Sequence, residues 1–140
     1  MRTVSRIVVV VGLVWLYGCG LAHASVQSVP DKLAVSIILG EAANQGPAGM
    51  QAVGEVLRRV GPSKFSTLKR KDLKQFIARQ PQWVHRIAQK AWENSAKSDL
   101  SRGATHYENV KAFGRPRWAR NMVETTRIKD HVFFKERESQ

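Results

Sequence analysis

The chain has 140 residues, 23 Lys and Arg against 11 Asp and Glu, a net charge of +12 and a single cysteine. That length is one domain's worth and enough for a single modest core. One cysteine excludes a disulfide scaffold or a thiolate cluster, and the charge asks for an anionic partner: a wall polymer, a membrane surface or nucleic acid.

The chain opens on a secretory leader. Arg2 and Arg6 precede the apolar run Ile7 to Leu16, and Ala22-His23-Ala24 forms a cleavage site before Ser25. Gly12, Gly18 and Gly20 break the apolar run, which falls short of a membrane span. Leu16-Tyr17-Gly18-Cys19 also resembles a lipoprotein box in which Cys19 would carry the lipid. The bulky Tyr17 weighs against it, so simple export is the expectation. Residues 1–24 are thus read as leader and residues 25–140 as one domain. The leader holds two basic residues and no acidic one, which leaves +10 on the exported domain.

Ser28-Val29-Pro30-Asp31 reads as a helix start, with Ser28 as cap and Asp31 at the capping-box position. Leu33, Ala34, Ile37, Ile38 and Glu41 then share one face of an amphipathic helix, which Asn44, Gly46 and Pro47 terminate. Pro47 opens a second helix with Met50, Val53, Val56, Leu57 and Val60 inward, stopped by Gly61-Pro62. Glu55 is placed on its flank, outside the core. Residues 63–81 read as a loop and a short helix, anchored by Phe65, Leu68, Leu73, Phe76 and Ile77. Lys69-Arg70-Lys71 with Lys74 reads as a solvated face. Gln80-Pro81 starts another helix, whose stripe includes Trp83, Val84, Ile87, Ala88, Ala91 and Trp92. Both tryptophans are therefore expected in the core, and His85 on the surface.

After Ser98 the period changes to that of strands. Gly103-Ala104-Thr105-His106-Tyr107 and His131-Val132-Phe133-Phe134 are β-like, and Lys129-Asp130 turns a hairpin from Thr125-Thr126-Arg127-Ile128 into the second stretch. His131 reads as structural. Between them Phe113-Gly114-Arg115-Pro116-Arg117-Trp118 is an aromatic and basic loop. The fold class is α+β, mainly helical with a small antiparallel ribbon.

Glu41 stands out because a carboxylate continues an apolar stripe at a helix C-terminus. Desolvation and the negative end of the helix dipole both disfavour its charge and raise its pKa, as a general acid near neutral pH requires. The alternative is a solvated residue at a helix that ends one position early.

The order of segments is similar to the SleB/CwlJ cell-wall hydrolase family, which includes spore-cortex-lytic enzymes. The resemblance spans about Leu33 to Lys135 and rests on three stretches in sequence. These are Gly40-Glu41-Ala42 with the following Gly49-Met50-Gln51-Ala52-Val53-Gly54-Glu55-Val56, then Gly103-Ala104-Thr105-His106-Tyr107, then Ile128 with His131-Val132-Phe133-Phe134. It implies a lysozyme-like fold, cleavage of peptidoglycan glycan strands, and Glu41 as the essential acid. It also implies that Thr105, His106 and Tyr107 line the sugar groove, against the plain reading of a strand with locally satisfied side chains. Trp118, beside Pro116 in the exposed loop, is a further candidate for stacking on sugar. The chain departs from the family at Gln45, where a second acidic residue is common, at Ala43, where arginine is, and at Leu57-Arg58-Arg59, which lacks an asparagine.

Glycoside hydrolysis ordinarily uses two carboxyl groups. Glu55, Glu93, Asp99, Glu108, Glu124 and Asp130 are available, but none has a pattern like that of Glu41. Lytic transglycosylases, which the resemblance implies, work with one glutamate that first donates and then accepts a proton. That mechanism is the expectation, with no cofactor, no metal and no nucleic acid, the partners being glycan strands and an anionic wall surface outside the cytoplasm. The exported domain is expected to contain no transmembrane span. Two alternatives remain. One is a zinc amidase, for which only His85, His106 and His131 are available as histidine ligands. The other is an inactive basic wall-binding domain.

Overall fold

The structure, a computed structural model, describes residues 28–138. The leader, its cleavage site and Cys19 lie outside the described residues. Five helices and three strands follow in order: α1 (Asp31–Ala42), α2 (Gly46–Val60), α3 (Leu73–Arg79), α4 (Gln82–Ser95), β1 (His106–Asn109), α5 (Val110–Phe113), β2 (Met122–Ile128) and β3 (His131–Glu136). Short 3₁₀ turns fill Pro62–Lys64, Ser66–Lys69 and Arg117–Asn121. The fold is α+β, as the change of period implies. Among the described residues no helix is long and apolar enough to cross a membrane.

Helices α1, α2 and α4 pack on one another around Ile37, Ile38, Leu39, Met50, Val53, Leu57, Ala88 and Trp92. The start of α1 differs from the expected capping box. Pro30 occupies the cap position without a side-chain hydrogen bond, and the Asp31 carboxylate accepts instead from Trp92 Nε1 at 2.8 Å. A tertiary bond to a buried indole thus replaces the local one. Arg58 covers the same indole, its guanidinium 3.5 Å from the ring centroid, and donates to the Trp92 carbonyl at 2.7 Å. Trp83, expected in the core, is 57% exposed. The buried face of α4 is Val84, Ala88, Ala91, Trp92 and Ser95, and one position before Val84 lies about 100° around the helix from it.

Glu55 also departs from its expected place. It is buried inside α2 and faces the loop between α4 and β1. That loop supplies the Ser98 hydroxyl, the Leu100 N–H at 2.9 Å, and the N–H and hydroxyl of Ser101 at 2.8 and 2.6 Å. Four donors make burial of a carboxylate tolerable. Burial alone would raise its pKa, but the hydroxyls of Ser101 and Ser98 and the two backbone N–H groups outweigh it and hold the carboxyl below its ordinary value.

The expected ribbon is a three-stranded antiparallel sheet, ordered β1-β3-β2. The hairpin turns at Lys129, which takes φ 51°, and pairs Ile128 with His131. β1 adds to the other side of β3, with His106 opposite Phe134 and Tyr107 opposite Phe133. Central β3 is covered on both faces, which explains its unbroken apolar run. Phe133 joins the helical core, while Val132 and Phe134 pack with Ala119 and Met122 under the segment from Val110 to Asn121. A bulge at Thr125 lets its hydroxyl donate to the Ser101 carbonyl at 2.7 Å, tying β2 to the loop that Glu55 anchors.

Candidate active site

Glu41 is the penultimate residue of α1, half-buried, at an open groove of about 860 Å³. The helical side of the groove is made by α2 and the turns after it, through Val56, Val60, Lys64, Phe65 and Ser66. The sheet side is made by Thr105, His106, Tyr107 and Glu108 around edge strand β1, with Phe113 and Glu136 at its margins. Glu41, Thr105, His106 and Tyr107, more than sixty residues apart in sequence, therefore meet at one groove.

Tyr107 holds the acid. Its hydroxyl donates to Glu41 Oε2 at 2.8 Å. Its ring lies 4.9 Å from that of His131, 5.7 Å from Phe133 and 6.2 Å from Phe65, all tilted, so three neighbouring rings fix the position of its hydroxyl. Burial raises the Glu41 pKa above the ordinary carboxylate value. The Tyr107 hydroxyl, the Thr67 backbone and the Arg70 charge pull it down, and the Glu108 charge pushes it up; the balance stays upward. Burial, and then the nearby Glu41 charge, push the Tyr107 phenol well above its ordinary value, so it remains a donor.

Gly40 explains how the 3₁₀ turn reaches the acid. A Cβ there would stand 2.3 Å from Thr67 Oγ1 and 2.9 Å from Leu73 Cδ1. Only glycine permits that approach. Arg70 closes the same corner, with its guanidinium 3.4 Å from the Gly40 carbonyl.

Gln45 faces away from this chemistry. It is buried, its amide donates to Asn44 Oδ1 at 2.9 Å and Asp130 Oδ2 at 3.3 Å, and its carbonyl accepts from the Asp130 N–H at 3.2 Å. It ties the α1–α2 turn to the β2–β3 turn and does not line the groove. His131, read as structural, is buried behind Tyr107; burial lowers its pKa and keeps its imidazole neutral near pH 7. Trp118 is not among the groove-lining residues. Its ring lies 5.2 Å from His106 and edge-on to Phe134 at 5.5 Å, so it backs His106 at the margin.

The sequence reading left Phe113, Glu108 and Glu136 without a place at the site. Glu108 had one available signal: it follows Tyr107 on an edge strand. Phe113 and Glu136 depend on how α5 and the end of β3 fold back, which no local pattern carries. His85, on α4, spends its Nε2 on the Ile77 carbonyl of α3 at 3.0 Å. Among the described residues no three His, Cys, Asp or Glu side chains gather as a metal site. Comparison with protein-family models, with curated proteins and with solved structures finds no match to this chain.

Proposed function

We propose that this chain cleaves the glycan strand of peptidoglycan as an exported, wall-associated enzyme, with Glu41 as its acid and base. The observation that carries this reading is Glu41 itself: a half-buried carboxyl, raised in pKa, oriented by Tyr107 and open to the groove. An acid at the end of a helix, facing a small antiparallel sheet across a groove, is also the reason to read the fold as lysozyme-like. The resemblance to the SleB/CwlJ family points the same way.

In the first step the protonated Glu41 gives its proton to the glycosidic oxygen as the bond to the muramyl C1 breaks. The resulting Glu41 carboxylate then takes the proton from the sugar's own 6-hydroxyl, whose oxygen closes on C1. The products are a shortened strand and a 1,6-anhydro end, and Glu41 is again protonated. No water is consumed. Thr105 and His106, with the Tyr107 hydroxyl beside the acid, are the polar groups available to orient the sugar.

One observation favours a second reading. Glu108 lines the same groove and its charge acts on Glu41. Were it to activate water at C1, the products would be ordinary reducing ends. Mass spectrometry of digested peptidoglycan distinguishes the outcomes. Anhydro-muramyl ends are expected, and reducing ends would favour the Glu108 route. Freed peptides would replace both with the amidase alternative. Absence of soluble products would support the inactive wall-binding alternative, and equal release by Glu41→Gln would remove Glu41 from the chemistry.

A further inference from the structure

The groove is lined mostly by acidic charged side chains, Glu41, Glu108 and Glu136 against Lys64, and its margin is basic. The segment that borders its sheet side, from Asn109 to Val123, has no acidic residue and carries Lys111, Arg115, Arg117 and Arg120. Arg115 is engaged, donating to the Ala119 carbonyl at 3.2 Å and pairing with Glu124 at 3.8 Å. Lys111, Arg117 and Arg120 are exposed, and among the described residues they form no ion pair. Lys111 shares α5 with Phe113, which lines the groove and is 79% exposed. Arg117 adjoins Trp118, which is 43% exposed and stands against His106 of the groove wall. Free cations and exposed aromatic rings thus alternate along one margin.

We infer that this margin binds the carboxylates of peptide stems, so that the groove selects glycan strands still bearing their peptides over bare glycan. The inference rests on the glycan-cleaving reading. A muramyl unit stripped of its stem keeps one lactyl carboxylate at the sugar, whereas an intact stem carries several carboxylates that reach beyond it. Glu108 and Glu136 in the groove repel those stems, and Lys111 and Arg117 attract them. The strand is therefore turned with its sugars inward and its peptides over α5 and the turn after it. Each exposed pair is weak and screened by salt. Two acting together give a preference of roughly five- to tenfold at low salt.

The test compares intact strands with strands stripped of their stems by an amidase, in binding by Glu41→Gln and in cleavage by wild type. Intact strands are expected to bind and be cleaved roughly five- to tenfold better at low ionic strength, the difference fading as salt is added. Lys111→Gln combined with Arg117→Gln, checked for native melting, is expected to lose most of the salt-sensitive preference for intact strands while still cleaving the stripped one. Equal binding of both substrates by the Glu41→Gln protein overturns the inference even if cleavage proceeds. Selective binding without any cleavage by wild type keeps it and defeats the catalytic reading instead.

Discussion

The Tyr107 hydroxyl and Glu41 Oε2 stand 2.8 Å apart, joining the first helix to the first strand across 66 positions of sequence. The bond favours the carboxylate and works against burial, which favours the acid. Tyr107→Phe is expected to raise the Glu41 pKa further. Because the first step needs the protonated form, the alkaline limb of the pH–rate profile should move to higher pH. The maximum rate should fall about ten- to hundredfold, since the proton is no longer held in line and the base step is weakened. A pH profile of peptidoglycan solubilisation by both proteins checks this; an unchanged alkaline limb would separate Tyr107 from the acid.

Glu41→Gln should abolish most strand cleavage, by roughly 10²–10⁴-fold, and stabilise the protein. A carboxyl whose folded pKa is raised costs no stability below its unfolded pKa, near the ordinary 4.5. The cost appears as pH rises through the interval up to the folded value and stays in full above it. Glutamine carries no charge to desolvate. The variant should therefore melt a few degrees higher at pH 8 and level with wild type near pH 4. Melting curves at those two pH values decide it, and a lower melting point at pH 8 would contradict the burial argument.

Gly40→Ala places a methyl group against Thr67 and Leu73, at distances no packed Cβ tolerates. The 3₁₀ turn must retreat, at a cost of about 1–3 kcal/mol, and its hold on the carboxyl goes with it. Activity should drop more than the loss of folded protein explains. Adding Thr67→Ala removes the Oγ1 that clashes most and should restore part of the stability, giving a non-additive double mutant. Melting and strand release measured on all four proteins test it; additive losses would mean the two residues do not meet.

Most of the fold and the centre of the site were legible in the sequence because local rules write them. The apolar stripe led to Glu41, and the hairpin followed from Lys129-Asp130 between two β-like runs. Part of what stayed hidden depends on partners distant in sequence, and part on local geometry that periodicity does not resolve. Glu55 looked like a flank residue because its four donors come from a loop more than forty positions later. Trp83 differs by one position from the true buried stripe, a margin that periodicity in a tryptophan-containing segment does not resolve. Phe113 reached the groove through an α5 turn whose cap is the Asn109 side chain, accepting from the Ala112 N–H at 3.0 Å.

Glu55→Ala should be among the most damaging changes away from the groove. It leaves the Ser101 and Leu100 N–H groups and two hydroxyls facing a void, at a cost of roughly 2–4 kcal/mol. The freed loop leads directly into Thr105 and Tyr107, so substrate affinity should suffer as well. A depressed folded pKa gives stability that is present above the ordinary 4.5 and is lost as pH falls through the folded value. Wild type should consequently lose stability in acid by a component that the variant lacks. Denaturant titrations at pH 7 and pH 3 measure it, and parallel losses in the two proteins would show that the carboxylate holds nothing.

Gln45→Glu tests whether this chain lacks a second catalytic acid or has simply used that position for something else. A glutamate there would not face the groove; it would be buried against the Asp130 carboxylate, where the amide now donates. The Asn44 side chain would lose its donor as well. Like charges a hydrogen bond apart cannot both ionise freely, so the variant should take up a proton on folding or loosen the β2–β3 turn. A destabilisation of about 1–3 kcal/mol is expected, largest above neutral pH where both groups would be charged. The cleavage products should keep the wild-type chemistry, with no gain in rate. A faster enzyme releasing reducing ends would mean that position 45 reaches the sugar after all, and that the single-acid mechanism reflects a missing partner.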